Sequence, residues 1–497
     1  MLPAVVTGLL AAASLCYGIR IPIQRRDDPP HSTSVNFSTS ANGINTTFGF
    51  QNVKNNRYTG TLTVSGTPFT VILDTGSTDI WLVSEGAISS TTSTNVQGSI
   101  HYVTSSVTGE IELADMSFGN FSVKQQAFIN LPSDQFADIT QPQGLTGLGS
   151  NVGLMGLGPT MRSEIVYELN QTNFKGTPLI DNIFGMWPSD PNYMSFLLTR
   201  NNLGITDGGI FTIGEVAETL SEIQNTTKLM VANPGWGAWV TFMDAVTING
   251  VNYTGNSMPS KDLTVPAGKV SVVFDTGTPL GTAPKYYVDA LYKHVPGAVW
   301  DNSTLTYTIP CDTKLNVSMV FGNDSYALHP IDLTVPAGVW PQNGSLVCSG
   351  AFTQTPSDSG VDFLLGDSFL RNVYSLYDFG NWTTTPTTTA PFVQLLSITD
   401  PDSAYQEFDG LNSARMVSFL QAAIVEMNSP TFSQESGNGN NNSSPSNSSL
   451  LVYSGIIMIL MAVAIILLLV LIGVTCKNNR NKRMRGAKYV GIPQATD

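Results

Sequence analysis

Apolar and polar residues alternate along much of the chain with a period of two, which predicts strands. Residues 58–64 (YTGTLTV) alternate as a half-buried strand does. Gly66, Thr67 and Pro68 then turn the chain into a wholly apolar run, residues 71–73, which reads as a buried strand. Residues 239–250 (WVTFMDAVTING) alternate again and end in an Asn-Gly pair suited to a hairpin turn. Val, Ile, Thr, Gly and Asn dominate the middle of the chain, favouring strands and turns over helices. Two stretches break this pattern. Residues 1–18 are apolar and rich in small residues, as a secretory signal peptide is, although they lack a basic start. Residues 450–475 form an almost unbroken apolar run, long enough to cross a bilayer as a helix. Lys477, Arg480, Lys482, Arg483, Arg485 and Lys488 follow in a basic tail, 476–497, of the kind that marks the cytoplasmic side.

The buried run at 71–73 delivers an acid. Asp74 is followed by Thr75, Gly76 and Ser77, so a carboxylate is expected at the tip of a buried strand among hydrogen-bond donors. Gly76 is expected to supply backbone angles that no side chain would tolerate. Burying a carboxylate is costly unless it is fully partnered or has work to do. The arrangement recurs: residues 271–274 (SVVF) lead into Asp275, Thr276, Gly277 and Thr278. One Asp-Thr-Gly is an ordinary turn. Two, each after an apolar run and with hydroxyls in register, place the acids naturally at a pseudo-two-fold axis.

Composition narrows the classes. A chain of 497 residues has room for two large domains, and a formal charge of −14 with a pI near 4.6 argues against nucleic-acid binding. The four histidines show no Ser-His arrangement of a nucleophilic hydrolase. Without a Cys-x-x-Cys pair or a His-rich cluster, neither a structural metal nor a cofactor is expected. Of the four cysteines, Cys16 falls in the leader and Cys476 beyond the apolar span. Cys311 and Cys348 remain on the secreted side, where a disulfide between them is expected. Sequons at Asn45, Asn120, Asn170, Asn225, Asn302, Asn343 and Asn381 suggest a glycosylated surface.

From about residue 58 to about residue 398 the chain resembles the pepsin-like aspartic proteases. The resemblance rests on the paired Asp-Thr-Gly motifs and on a paired apolar-apolar-Gly element downstream of each, 152–158 (VGLMGLG) and 363–367 (FLLGD). It implies an all-β, bilobal fold with an N-terminal lobe at 48–200, a C-terminal lobe at 201–398 and a cleft between them. It also implies that Asp74 and Asp275 activate water, that Thr75 and Thr276 cross-brace the two loops, and that Ser77 and Thr278 bond the outer carboxylate oxygens. In the family a β-hairpin flap carries a tyrosine; Tyr102 falls at that position and Gly109 at the flap's final glycine, while Val103 and Ser105 replace usual glycines. Trp81 resembles the indole that joins the flap tyrosine's hydrogen bonds, or is plain core. The family also has a disulfide near the place of Cys311 and Cys348.

The resemblance implies extended polypeptide substrates, activity in acid, and a monomer, since both acids lie in one chain. Residues 19–47 read as a short pro-segment or loose arm, shorter and poorer in lysine than the family's usual propeptide. Its Arg25 and Arg26 are either a processing site or an ordinary exposed pair. Residues 399–449 read as a stalk, with some helical spacing over 400–427 and then a stretch rich in Asn, Ser and Gly over 429–449, before the single C-terminal span. The expected protein is a type I membrane protein of the secretory pathway, with its lobes outside the cell or in an acidic lumen, as would suit a fungal surface or vacuolar enzyme. The rival reading is a catalytically silent surface protein of the same fold that binds a partner or glycan; both acids and their hydroxyl neighbours argue against it.

Overall fold

The computed structural model describes residues 19–20, 50–102, 106–140, 148–200, 205–258, 260–339, 346–383 and 388–427. The expected signal peptide, nearly all of the arm, the Asn-rich stretch, the apolar run at 450–475, the basic tail, and Val103 and Ser105 of the flap lie outside them. Among the described residues, no helix is long and apolar enough to cross a membrane.

The molecule is mostly β. In its first half a nine-stranded sheet holds the strand Thr67–Asp74 near its middle. That strand's apolar end is buried residue by residue, as expected of the run at 71–73. The second half is built from sheets of five, four and four strands. The turn at Asn249 and Gly250 has positive φ at both residues (49° and 84°), as a tight hairpin turn needs.

A six-stranded sheet joins the halves. In it Tyr193–Leu198 pairs antiparallel with Val373–Asp378, and Ile19–Arg20 adds a short strand against Gly209–Ile213. Buried aromatic residues weld this seam. Phe196 meets Tyr377 at 6.0 Å between ring centroids, and Tyr377 meets Trp239 at 5.2 Å. The seam also carries buried charge. The Asp332 carboxylate accepts bonds from Arg200 (2.6 and 2.9 Å), from Arg371 (2.8 Å) and from the Asn372 amide (3.1 Å). Burial alone would raise the Asp332 carboxyl, but the two guanidinium groups outweigh it and hold the group well below the usual carboxylate range.

Cys311 and Cys348 are joined, their Cα atoms 4.9 Å apart. Closing that loop constrains the unfolded chain by about 4 kcal/mol.

The boundary expected at residue 398 differs from the structure. A helix, Pro401–Met427, begins directly after it and packs on the second half of the molecule. Asp400 caps its start by accepting the Ser403 N–H at 2.8 Å. Ala404, Phe408, Asn412 and Arg415, spaced along one helical face, are all buried. Arg415 donates to the carbonyls of Ile331 (2.8 Å) and Thr334 (2.6 Å), and the Asn412 amide donates to the Cys311 carbonyl (3.0 Å). The start of the expected stalk is therefore part of the folded body. Its buried face is half polar, held by hydrogen bonds that a hydrophobic pattern does not register.

Candidate active site

Each Asp-Thr-Gly sits at the end of a strand and is followed by a loop that passes over a third strand. In the first half, Thr67–Asp74 runs parallel to Asn151–Gly156, and Ile80–Ser84 returns antiparallel on that strand's other side. In the second half, Val270–Phe274, Phe363–Leu365 and Gly281–Ala283 repeat the arrangement. The paired Gly residues downstream make the crossing possible. A Cβ on Gly156 would lie 2.3 Å from the Thr78 carbonyl carbon, and one on Gly366 would lie 2.1 Å from the Leu280 oxygen. Side chains cannot occupy those spaces, so the loops would be pushed off their strands.

The two loops meet tip to tip. The Thr75 N–H donates to the Thr276 hydroxyl at 3.0 Å, and the Thr276 N–H donates to the Thr75 hydroxyl at the same distance. Each hydroxyl then donates onward into the opposite half, Thr75 to the Phe274 carbonyl (3.2 Å) and Thr276 to the Leu73 carbonyl (2.7 Å). The four bonds brace the two loops against each other. All four are buried, so each threonine's donor and acceptor is used where an unmade bond would be expensive.

The brace brings Asp74 and Asp275 together. Inner oxygens accept backbone N–H groups: Gly76 to Asp74 and Gly277 to Asp275, both at 2.8 Å. Outer oxygens accept hydroxyls, from Ser77 on Asp74 and from Thr278 on Asp275 (2.8 Å). The role expected of Gly76 needs correction. Neither Gly76 nor Gly277 has positive φ. What excludes a side chain is the opposite acid: a Cβ on Gly76 would lie 2.7 Å from Asp275 Cγ, and one on Gly277 would lie 2.3 Å from Asp74 Oδ1. Burial, and then the charge of Asp275, push the Asp74 carboxyl up to about 8, against the lowering effect of its Ser77 and Gly76 bonds. The pair therefore keeps one proton between its two members.

The hairpin formed by Thr92–His101 and Ser106–Phe118 pairs as far as His101 and Ser106, with Tyr102 just beyond. The Tyr102 hydroxyl accepts the Trp81 indole N–H at 2.7 Å. The indole is the donor, as its chemistry requires, and its ring is wholly buried. Burial, and then the charge of Asp74, raise the Tyr102 phenol, so it stays neutral.

Several residues near the dyad were not singled out by sequence. Asp79 ends the first loop; its carboxylate accepts the Ser163 hydroxyl and the N–H groups of Glu164 (2.7 Å) and Ile165 (3.3 Å), yet burial dominates and lifts it to about 6. Asp367 is fully buried, and neither carboxylate oxygen has a hydrogen-bond partner among the described residues. Burial raises it well above the usual range, although Arg371 and Arg57 pull the other way. Arg57 faces the acids too: burial lowers it, while Asp367, Asp275 and Asp74 pull it up. For Asp367 a signal existed, because it directly follows the Gly of the second apolar-apolar-Gly element. Arg57 had none beyond preceding the first predicted strand.

Among the described residues, no group of three or more His, Cys, Asp or Glu could hold a metal ion. The arrangement supplies two facing carboxylates that titrate as a coupled pair. Those parts can activate a water without a metal.

Residues 57–386 match the family described as eukaryotic aspartyl protease. Among curated proteins, the chain is 26% identical over 345 residues to an aspartic protease of Phaffia rhodozyma (65% of this chain, 74% of that protein). It is 27% identical over 347 residues to cathepsin D of Mus musculus (64% and 77%). It is 25% identical over 343 residues to aspartic protease 6 of Caenorhabditis elegans (65% and 79%).

Proposed function

The chain belongs to the eukaryotic aspartyl protease family and is an aspartic-type endopeptidase; from that premise we propose that Asp74 and Asp275 hydrolyse peptide bonds with a water held between them. The observation that carries the reading is the mutual approach of the two acids, each standing where the other's neighbouring glycine has no side chain. The ionised member of the pair takes a proton from the water, whose oxygen attacks the scissile carbonyl. The protonated member gives its proton to the carbonyl oxygen, forming a neutral tetrahedral diol. On collapse the C–N bond breaks as the protonated carboxyl gives its proton to the amine nitrogen and the ionised carboxylate takes one from a diol hydroxyl, so the pair ends with one proton again.

Thr75 and Thr276 hold the acids in register. Ser77, Thr278 and the N–H groups of Gly76 and Gly277 orient the four oxygens. Tyr102, fixed by Trp81, covers the water and the extended substrate. The substrates are polypeptides, bound as strands in the cleft. Because both acids come from one chain, the monomer is sufficient. The leader-like residues 1–18 and the apolar run 450–475 with its basic flank support a secretory-pathway protein anchored by one C-terminal span.

A statine-type inhibitor, whose hydroxyl imitates the tetrahedral intermediate, tests the site. The reading predicts that it raises the protein's melting temperature at acid pH and that Asp275→Asn abolishes the rise. An inhibitor that shifts neither protein would favour the silent binding protein of the same fold.

A further inference from the structure

Arg162 stands apart because, among the described residues, it is a cation with no carboxylate partner. The chain leaves the first crossing at Gly158 and turns through Pro159 and the short 3-10 turn Thr160–Arg162. The Arg162 N–H donates to the Pro159 carbonyl (3.1 Å) and the Ser163 N–H to the Thr160 carbonyl (3.0 Å). Directly after the turn, the Ser163 hydroxyl is committed to Asp79. The backbone at Arg162 is thus tied on both sides to the loop that carries the dyad.

Its side chain returns toward that loop. Nη1 donates to the Gly76 carbonyl at 3.3 Å. Gly76 is the residue whose Cα stands against the Asp275 carboxylate, so the guanidinium lies one peptide unit from the reacting pair. The other half of the molecule supports the stem. Gly237, with φ of 62°, comes so close that a Cβ there would lie 2.8 Å from Arg162 Cγ and 2.6 Å from Met161 Cγ. Arg162 therefore lies beside the loop that carries Asp74, with Gly237 of the other half against its stem.

Two facts make it a receptor rather than a structural ion pair. The residue is exposed, and among the described residues no carboxylate pairs with it. Its bond to the Gly76 carbonyl is long for a charged donor, and among the described residues the rest of the planar fork has no partner. A guanidinium presented in this way matches a carboxylate in two-point geometry.

We propose that Arg162 sets specificity by selecting a substrate carboxylate, an Asp or Glu side chain, within about two residues of the scissile bond. The distance follows from one peptide unit of separation at about 3.3 Å per extended residue. The selection rests on the catalytic reading above and adds a charged preference to it.

The test uses the full chain and a peptide series in which Glu, Gln or Lys is placed in turn at each of the positions flanking one cleavage site. At about pH 5 a substrate glutamate is ionised. The wild type is expected to favour Glu over Gln about fivefold in kcat/KM at one position within two residues of the cut. In Arg162→Gln that ratio falls to about one, and in Arg162→Glu the same position favours Lys over Gln. Because each result is a ratio within one protein, a partly folded variant does not alter it. Cleavage by the wild type with no Glu preference anywhere, or a preference that persists in Arg162→Gln, overturns the role of Arg162 alone. Failure of the wild type to cleave any peptide overturns the catalytic reading, and this one with it.

Discussion

The dyad depends on what two glycines lack. Gly277 has no positive φ to satisfy, so alanine there is compatible with the backbone but not with Asp74, whose Oδ1 would lie 2.3 Å from the added carbon. Gly277→Ala is therefore expected to fold and to displace the acid, with kcat falling by about 100-fold or more, because reacting groups tolerate little misplacement. Steady-state kinetics beside a melting curve check this; near-wild-type kcat would show that the acids have slack. The acids, their hydroxyls and the glycines were all legible in the sequence as two copies of one motif. The reason for the glycines was not, since the residue that excludes a side chain lies about 200 positions away in the chain, as the 201-residue separation of the threonine brace illustrates. Asp79 escaped notice for a related reason: a single acid in a sequence carries no record of how deeply it will be buried.

At the scale of elements, alternation and the paired Gly signals located the strands that matter, because a strand buried on one or both faces writes its burial into the apolar pattern. The C-terminal helix showed in the sequence only as some helical spacing over 400–427, with no sign of what it packs on. Of the residues it buries, Ala404 and Phe408 are apolar, while Asn412 and Arg415 are held by carbonyl acceptors. Its stretch therefore read as the start of a stalk. If the helix belongs to the body, Phe408→Ala, which empties a fully buried site, destabilises the catalytic unit by about 3–5 kcal/mol. Val417→Ala, on an exposed position of the same helix, changes stability by about 0.5 kcal/mol or less. Denaturant unfolding of the two variants distinguishes them; equal, small effects would return the helix to the stalk.

For the whole molecule, the buried acids set the response to pH. Asp74 and Asp367, raised by burial, and Asp79, at about 6, bind protons more tightly folded than unfolded. A raised carboxyl contributes stability that is complete below its unfolded value, about 3.8, and is lost as pH rises through the folded value. Asp332 acts in the opposite sense, but its carboxyl is so depressed that its contribution is lost only below the ordinary carboxylate range. The melting temperature should accordingly rise as pH falls from about 8 to about 4. A flat or falling curve over that window would mean that these acids are not desolvated as described. On the proposed mechanism the same proton serves catalysis, so activity is lost as pH rises through the raised upper limb of the pair. The most direct test is therefore cleavage of a denatured protein at about pH 3 to 6 by the full chain and by its Asp74→Asn variant, each with a cooperative melt. The account predicts cleavage by the wild type and none by the variant. Equal cleavage by both would place the chemistry elsewhere, and equal silence from two folded proteins would contradict the claim that this dyad hydrolyses peptides.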